Sequence, residues 1–255
     1  MKTNMLNIQQ NLTVIENRPL TGKTWKISLR GDNSAITKPG QFVNIAIPGK
    51  YLRRPISVHS YERTNNLLVL LYDVVGEGTR MLSEIEPGQT LNILMGLGNG
   101  FSIPDYISHP ILLGGGIGCA PLFQLALDLI MNGKKPVLVL GFNTKEDIVE
   151  DMNILKSMGI PILYATIDGT FGTKGFVTDV IKENNLVFDY FYACGPLPML
   201  LAVSSLPCPG ELSLESRMGC GFGACMCCSI ETKNGSRRIC KEGPVFMKDD
   251  IIWKQ

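Results

Sequence analysis

The sequence predicts a multidomain α/β-plus-β fold of three consecutive units. The first is all-β and closes as a small barrel or sandwich, the second is a parallel α/β domain, and the third is a compact cysteine-rich segment. Three observations predict this order. Residues 1–103 are short apolar runs broken by turn dipeptides, residues 104–205 alternate strand-like runs with amphipathic stretches, and residues 206–255 are rich in cysteine and glycine with few apolar runs.

In the first unit the runs Trp25–Leu29, Phe42–Ile47 and Leu67–Tyr72 read as strands, separated by Pro39-Gly40, Pro48-Gly49, Asn65-Asn66 and Pro87-Gly88. Many short strands joined by such turns suit a closed barrel or sandwich. In the second unit Ile111-Leu112-Leu113 runs through glycines into a helix carrying Leu122, Leu125, Ala126, Leu129 and Ile130 on one face. Val137–Gly141 and Ile162–Thr166 read as further strands, Ile148–Met158 and Val177–Asn184 as helices, and Asp189–Cys194 as a strand ending at Gly195-Pro196. This alternation argues for a parallel sheet covered on both faces. The stretch from Ile111 to Met131 is apolar apart from Gln124 and Asp128, but its glycines and Pro121 divide it into strand, turn and helix, so no membrane span is expected.

With 255 residues, 45% of them hydrophobic, the chain has material for substantial cores, and a net charge of +1 excludes a basic nucleic-acid-binding face or an acidic tail. The first ten residues contain no apolar leader, so a cytoplasmic location and reduced thiols are expected for the eight cysteines.

Four of those cysteines carry the most specific signal. Cys220, Cys225 and Cys228 are spaced C-x4-C-x2-C, and Cys240 follows after eleven intervening residues. This is the plant-type spacing for a [2Fe–2S] cluster. Gly221 and Gly223 permit a loop to wrap round the metal. Zinc is the alternative, although zinc ribbons usually pair two C-x2-C knuckles and only one is present. Cys227 is a fifth thiol in the loop without an assigned role, and Cys119, Cys194 and Cys208 read as small apolar residues.

Gly114-Gly115-Gly116-Ile117-Gly118 falls where a strand hands over to a helix, a place where backbone N–H groups approach a pyrophosphate; Gly115, Gly116 and Gly118 are the candidates. A purely structural glycine turn reads equally well from the motif alone. Cys194-Gly195-Pro196 closes another strand at the edge where such sheets bind ligands. Arg53-Arg54-Pro55-Ile56-Ser57 follows an apolar strand and reads either as a solvated pair on a barrel rim or as an arginine fork on a phosphate, with Ser57 donating. Gly78 and Thr79 form a second candidate anion contact. Together these features suggest a flavin dinucleotide. Glu146 and Asp147 either start a solvated helix or meet a ribose 2′-hydroxyl, the latter favouring NAD. His59 and His109, the only histidines, sit in no general-base setting.

Taken together, Arg54-Pro55-Ile56-Ser57, Gly114–Gly118 with Ala120-Pro121, and Ala193–Pro196 resemble the motifs of the ferredoxin-reductase-like flavoproteins. Leu52–Val58, Gly76–Thr79, Leu97–Phe101, Asp168–Asp179 and above all Glu215–Cys225 are similar to the electron-transfer subunits of type B dihydroorotate dehydrogenases, and the resemblance spans nearly the whole chain. It implies a six-stranded antiparallel barrel for FAD (1–103), a Rossmann-like domain for NAD (104–205) and a [2Fe–2S] domain (206–255). It also implies FAD contacts from Arg54, Pro55, Ile56, Ser57, Leu71, Tyr72, Asp73, Gly78 and Thr79. NAD contacts are implied for Gly115, Gly116, Gly118, Cys194, Gly195 and Pro196, and cluster ligation for Cys220, Cys225, Cys228 and Cys240. No catalytic residue is implied; Cys194 is a candidate on the nicotinamide side.

The implied partner is an FMN-binding dihydroorotate dehydrogenase subunit, in a heterotetramer of two of each, with electrons passing singly through the cluster to FAD and then as hydride to NAD⁺. Two residues depart from the family pattern: Asp73 stands where a basic residue is expected, and Cys227 where cysteine is uncommon. The alternatives are a flavin subunit of the ferredoxin:NAD(P) or sulfide dehydrogenase type, a non-catalytic redox sensor, and a zinc-stabilised binding module. Relatives of the first type can carry aspartate in place of one cluster cysteine, which this chain does not.

Overall fold

The computed structural model describes residues 8–253. Residues 1–7, most of the stretch read as lacking an apolar leader, lie outside the described residues, as do 254 and 255.

Six strands close into an antiparallel barrel: β1 (Ile8–Pro19), β2 (Thr24–Arg30), β3 (Phe42–Ile45), β4 (Arg54–Glu62), β5 (Leu67–Asp73) and β6 (Thr90–Leu97), in the order β1-β2-β5-β4-β3-β6. Closure rather than a sandwich leaves no free edge. Alternation along β3 sorts its side chains: Val43 and Ile45 fill the barrel with Leu12, Ile27, Leu70 and Ile93, while Phe42 joins the core outside it. Between β5 and β6 lies α1 (Glu77–Ser83), a short helix that carries the candidate anion contacts Gly78 and Thr79.

The central sheet is built from β7 (Pro110–Gly115), α2 (Leu122–Met131), β8 (Val137–Phe142), α3 (Ile154–Ser157), β9 (Ile162–Thr166), β10 (Thr173–Lys174), α4 (Val177–Glu183), β11 (Tyr190–Cys194), α5 (Leu197–Ser204) and β12 (Gly210–Ser213). The strand order is β10-β9-β8-β7-β11-β12, all parallel. The two faces are read off the period of two: Leu112, Leu138, Tyr190 and Tyr192 pack on one side, and Ile111, Leu113, Val139 and Phe191 on the other.

The helix expected over Ile148–Met158 is largely replaced. Ile148 and Val149 are extended, a 3-10 turn spans Glu150–Asn153, and only Ile154–Ser157 is α-helical. The buried residues Val149, Met152 and Leu155 recur every third position, which a 3-10 turn places on one face.

The last segment contributes more to the core than its composition suggested. It forms a hairpin, β13 (Ser229–Thr232) with β14 (Gly235–Arg238), and a strand, β15 (Val245–Met247), that adds antiparallel to β12. The central sheet therefore runs past residue 205, through Ser213, and takes in β15 as its seventh strand. Ile239, Val245, Phe246 and Ile251 are buried, because β15 carries its neighbours onto the sheet. Among the described residues no helix is long and apolar enough to cross a membrane.

Candidate functional site

Order reversal in the central sheet fixes the first part of the site. From β7 the chain steps outward to β8 and β9 on one side, then crosses to β11 and β12 on the other. At such a switch point the loops after the strands diverge and leave a crevice. A cleft of about 600 Å³ lies there, lined by Gly115, Gly116, Gly118, Gly195, Pro196, Phe176 and Asp147, with Lys23, Thr24 and Asp73 from the barrel and Glu215 from beyond β12. That volume is in the range of small-molecule and cofactor sites.

The glycine turn and the end of β11 meet closely. A Cβ on Gly118 would lie 2.4 Å from the Cys194 carbonyl oxygen, so only glycine lets the turn lie on that strand end. The 3-10 turn Gly116–Cys119 follows, and α2 begins only at Leu122, so the glycines line the cleft rather than capping the helix directly. Gly195 and Pro196 face the cleft. Cys194 is buried beneath them, its thiol pushed well up by burial and by nearby Glu215, so it reaches the cleft through its backbone neighbours and not its sulfur.

Three carboxylates define the charge of the cleft. Asp73 accepts a 2.6 Å hydrogen bond from the Thr24 hydroxyl and lies 3.8 Å from Lys23 Nζ, which offsets the repulsion an acidic residue would exert on a phosphate. Asp147, not its exposed neighbour Glu146, faces the cleft and lies 3.9 Å from the same lysine. Glu215 opens onto the cleft yet is crowded by surrounding protein. That desolvation, and then Asp73, raise its pKa, so it holds a proton at higher pH than an ordinary glutamate.

On the barrel, the two arginines separate. Arg53 is spent on the rim, donating to the Asn44 and Asn92 carbonyls and to Asn92 Oδ1 at 2.5 Å. Arg54 lies against α1, where a Cβ on Gly78 would meet its guanidinium at 2.3 Å. Arg54 and Gly78 are thus brought together, as an anion contact requires. Thr79 is next to them, but its hydroxyl is engaged in its own turn, accepting from Val75 and Gly76 N–H and donating to the Gly76 carbonyl. Pro55 and Ser57 stand opposite Asn44 and Phe42 in the β3–β4 ladder, with Ile56 opposite Val43. Leu71 and Tyr72 are core residues, and the Tyr72 hydroxyl donates to Asn17 at 2.9 Å.

The cysteine loop is the third part. Left-handed backbone at Gly221 (φ 77°), Gly223 (φ 92°) and Met226 (φ 62°) curls it so that N–H groups face sulfur. Ala224 and Cys225 donate to Cys220 Sγ at 3.2 and 3.4 Å, Cys220 N–H lies 3.4 Å from Cys225 Sγ, and Cys240 N–H lies 3.4 Å from Cys228 Sγ. The thiols form two pairs with opposite environments. Cys225 is exposed, and the N–H groups of Cys227 and then Cys220 lower its pKa to about 6. Cys240 is buried beside buried Cys228, and burial and then that neighbour push it up to about 12.

Two thiolates per iron is the demand of a binuclear cluster, and N–H groups aimed at sulfur are what tune one. Cys227 is exposed, and its thiol reaches toward the Cys225 carbonyl at 3.8 Å and toward the Cys225 side chain. The donor set fits the cluster.

Other ionisable candidates belong to the fold. His59 is buried with Nδ1 3.0 Å from the Ala120 carbonyl and its ring 4.4 Å from Phe123, and desolvation lowers its pKa to about 4. It joins barrel to α2 and is neutral.

Two residues were not singled out from sequence. Glu215 reaches the cleft only because β12 ends there, which nothing local indicates. Asn44 gave a faint signal: it is the one polar residue in the apolar run Phe42–Ile47, and it sits at an outward position of β3.

Comparison with known proteins supplies the family. Residues 215–252 match the model of the iron-sulfur cluster binding domain of dihydroorotate dehydrogenase B. An electron transfer subunit of dihydroorotate dehydrogenase B (NAD(+)) from Fusobacterium nucleatum is 41% identical, covering 95% of this chain and 98% of that protein. One from a Geobacillus species is 39% identical over 96% and 98%. Among solved structures, an NADH-dependent reduced ferredoxin-NADP oxidoreductase studied for flavin-based electron bifurcation superposes with a TM-score of 0.85 at 28% identity, over 99% of this chain and 92% of that one. A ferredoxin NADP+ reductase from Neisseria gonorrhoeae, with bound FAD and NADP, shares the fold at a TM-score of 0.64 and 16% identity, over 76% and 87%. The chain belongs to the family of electron transfer subunits of dihydroorotate dehydrogenase B (NAD(+)).

Proposed function

We propose that this chain carries electrons from an FMN-containing dihydroorotate dehydrogenase subunit to NAD⁺ in pyrimidine (UMP) biosynthesis, in a cytoplasmic heterotetramer of two of each subunit. The observation that carries this reading is the sequence of three sites on one chain: a nucleotide-sized cleft at the switch point, an arginine-lined barrel face, and a loop of paired thiols opening outward. When bound, FAD supplies hydride exchange with the nicotinamide and the cluster supplies single-electron exchange.

The chain's own residues bind and orient. Arg54, beside Gly78, neutralises the FAD phosphates, and Pro55, Ile56 and Ser57 present the strand along which the flavin lies. Thr79 shapes that turn through its capping hydroxyl, and Leu71 and Tyr72 fix the strand leading to Asp73. Gly115, Gly116, Gly118, Gly195 and Pro196 form the floor of the NAD site, with Cys194 supporting it from below. Asp147 suits a ribose hydroxyl and repels a 2′-phosphate, favouring NAD over NADP. Cys220, Cys225, Cys228 and Cys240 hold the cluster. Phe222 (44% exposed) and Met226 (51% exposed) flank Cys225 and present an apolar rim to the partner subunit. All eight cysteines are unpaired, which suits a reducing compartment.

Reconstitution tests the reading. Dihydroorotate-dependent NAD⁺ reduction is expected only when the chain is combined with an FMN-binding dihydroorotate dehydrogenase subunit, eluting at the mass of two of each. Failure with every such partner, and NAD(P) reduction from reduced ferredoxin instead, would move the chain to the ferredoxin-linked class that its 28% identical structural neighbour represents.

A further inference from the structure

Asn44 lies where the barrel meets the cysteine loop. It is 1% exposed. Its Nδ2 donates to the Cys220 carbonyl at 3.2 Å, which ties the barrel wall to the 220–228 loop. Its Oδ1 is buried and has no hydrogen-bond partner among the described residues. The assignment of the two ends follows from the contact, since an oxygen turned toward the Cys220 carbonyl would be repelled. The loop is shaped to meet this amide: a Cβ on Gly221 would lie 2.3 Å from Asn44 Nδ2.

The ladder places this contact on the flavin side. Asn44 is opposite Pro55, and Phe42 opposite Ser57, so the four side chains share one face of the barrel wall. Phe42 on that face packs in the same core as Cys228 and Cys240. One strand face thus touches the proposed flavin strand at one edge and the first cluster cysteine at the other.

Folding alone does not explain an amide there. A buried polar atom without a partner is costly, and only one end of the Asn44 amide is compensated, by the Cys220 carbonyl. Native structures retain such atoms rarely, and a redox role is among the recognised reasons.

We propose that Asn44 is a positioning residue for electron transfer: by holding the Cys220 carbonyl against the flavin strand, it sets the placement of the Cys220 thiolate relative to the flavin. This rests on the FAD and cluster assignments above, so wild-type protein must first be shown to contain both; if it does not, those assignments fail and not the role of Asn44.

The test uses Asn44→Leu and Asn44→Ala in the full chain, with iron, sulfide and FAD content, the electron paramagnetic resonance spectrum and midpoint potential of the reduced cluster, and the rate of cluster reduction after NADH is mixed with the protein. Both variants are expected to keep FAD and cluster and to reduce flavin with NADH at the wild-type rate. The cluster spectrum and potential should shift, and cluster reduction should slow about 10- to 100-fold, the range seen for groups that orient metal ligands. Wild-type spectrum, potential and rate in Asn44→Leu would overturn the proposal. So would loss of FAD together with the cluster and a lowered melting temperature, which would make Asn44 a packing residue.

Discussion

The cleft and the cysteine loop are built on opposite principles. The cleft is walled by strand ends whose positions are dictated by two buried faces of a sheet, so its shape exists before any ligand arrives. The loop is half anchored: Cys228 and Cys240 are sunk in the core behind β15, whereas Cys220 and Cys225 ride on a glycine-rich turn open to solvent. Exposed Cys225 is poised as thiolate by the N–H groups of Cys227 and Cys220. Burial holds the Cys240 thiol protonated, so a metal must displace its proton. A preformed site next to one completed by its metal teaches where each cofactor's energy goes: nucleotide binding uses geometry the fold supplies, and cluster binding finishes the geometry itself.

The sharpest way to separate the two is Cys225→Ala. Loss of the cluster and of all electron transfer to the partner subunit is expected, with NADH:dye reductase activity through FAD retained. Loss of NADH-dependent flavin reduction with FAD still bound would show that the cleft depends on the loop.

The wall between barrel and central sheet is probed by pH through His59. Its neutral imidazole has a folded pKa of about 4, below the ordinary 6.5, so the unfolded chain takes up the proton first as pH falls. The contribution is intact above pH 6.5 and is lost between about 6.5 and 4, worth about 3 kcal/mol at most. Urea midpoints of wild type and His59→Phe across that window measure it. A variant that follows the same pH dependence would remove His59 from the account.

Gly118→Ala places a methyl 2.4 Å from a backbone carbonyl that cannot swing aside. Destabilisation of about 1–3 kcal/mol is expected, with weakened NADH binding and an unchanged cluster spectrum. Altered cluster spectroscopy would mean that the two sites are not independent.

The smallest effect is expected from Cys227→Ser. Its exposed thiol meets the Cys225 carbonyl at 3.8 Å and the Cys225 side chain, contacts that a serine hydroxyl can keep, so iron content and cluster spectrum should match wild type. Loss of iron would make it a ligand.

What could be read in the sequence follows the same division. Barrel strands and the βα alternation were legible because burial on one or two faces writes a period of two or an unbroken apolar run, as in Leu67–Tyr72 and Val137–Gly141. Cluster ligands were legible from spacing, since thiolate ligation leaves a fixed chemical signature. Contacts that depend on where distant segments end were not legible. Glu215 faces the cleft because of β12, and Asn44 meets Cys220 across 176 residues of chain. The stretch after β8 misled because Val149, Met152 and Leu155 are consistent with either helical period until the backbone is seen.

The measurement that bears most directly on the whole account is an absorption spectrum of the purified chain with iron, acid-labile sulfide and flavin analysis. Flavin and iron–sulfur bands are expected together, with about two irons and two sulfides per chain and about one FAD. A colourless protein containing zinc without iron, or an iron–sulfur protein without flavin, would contradict it.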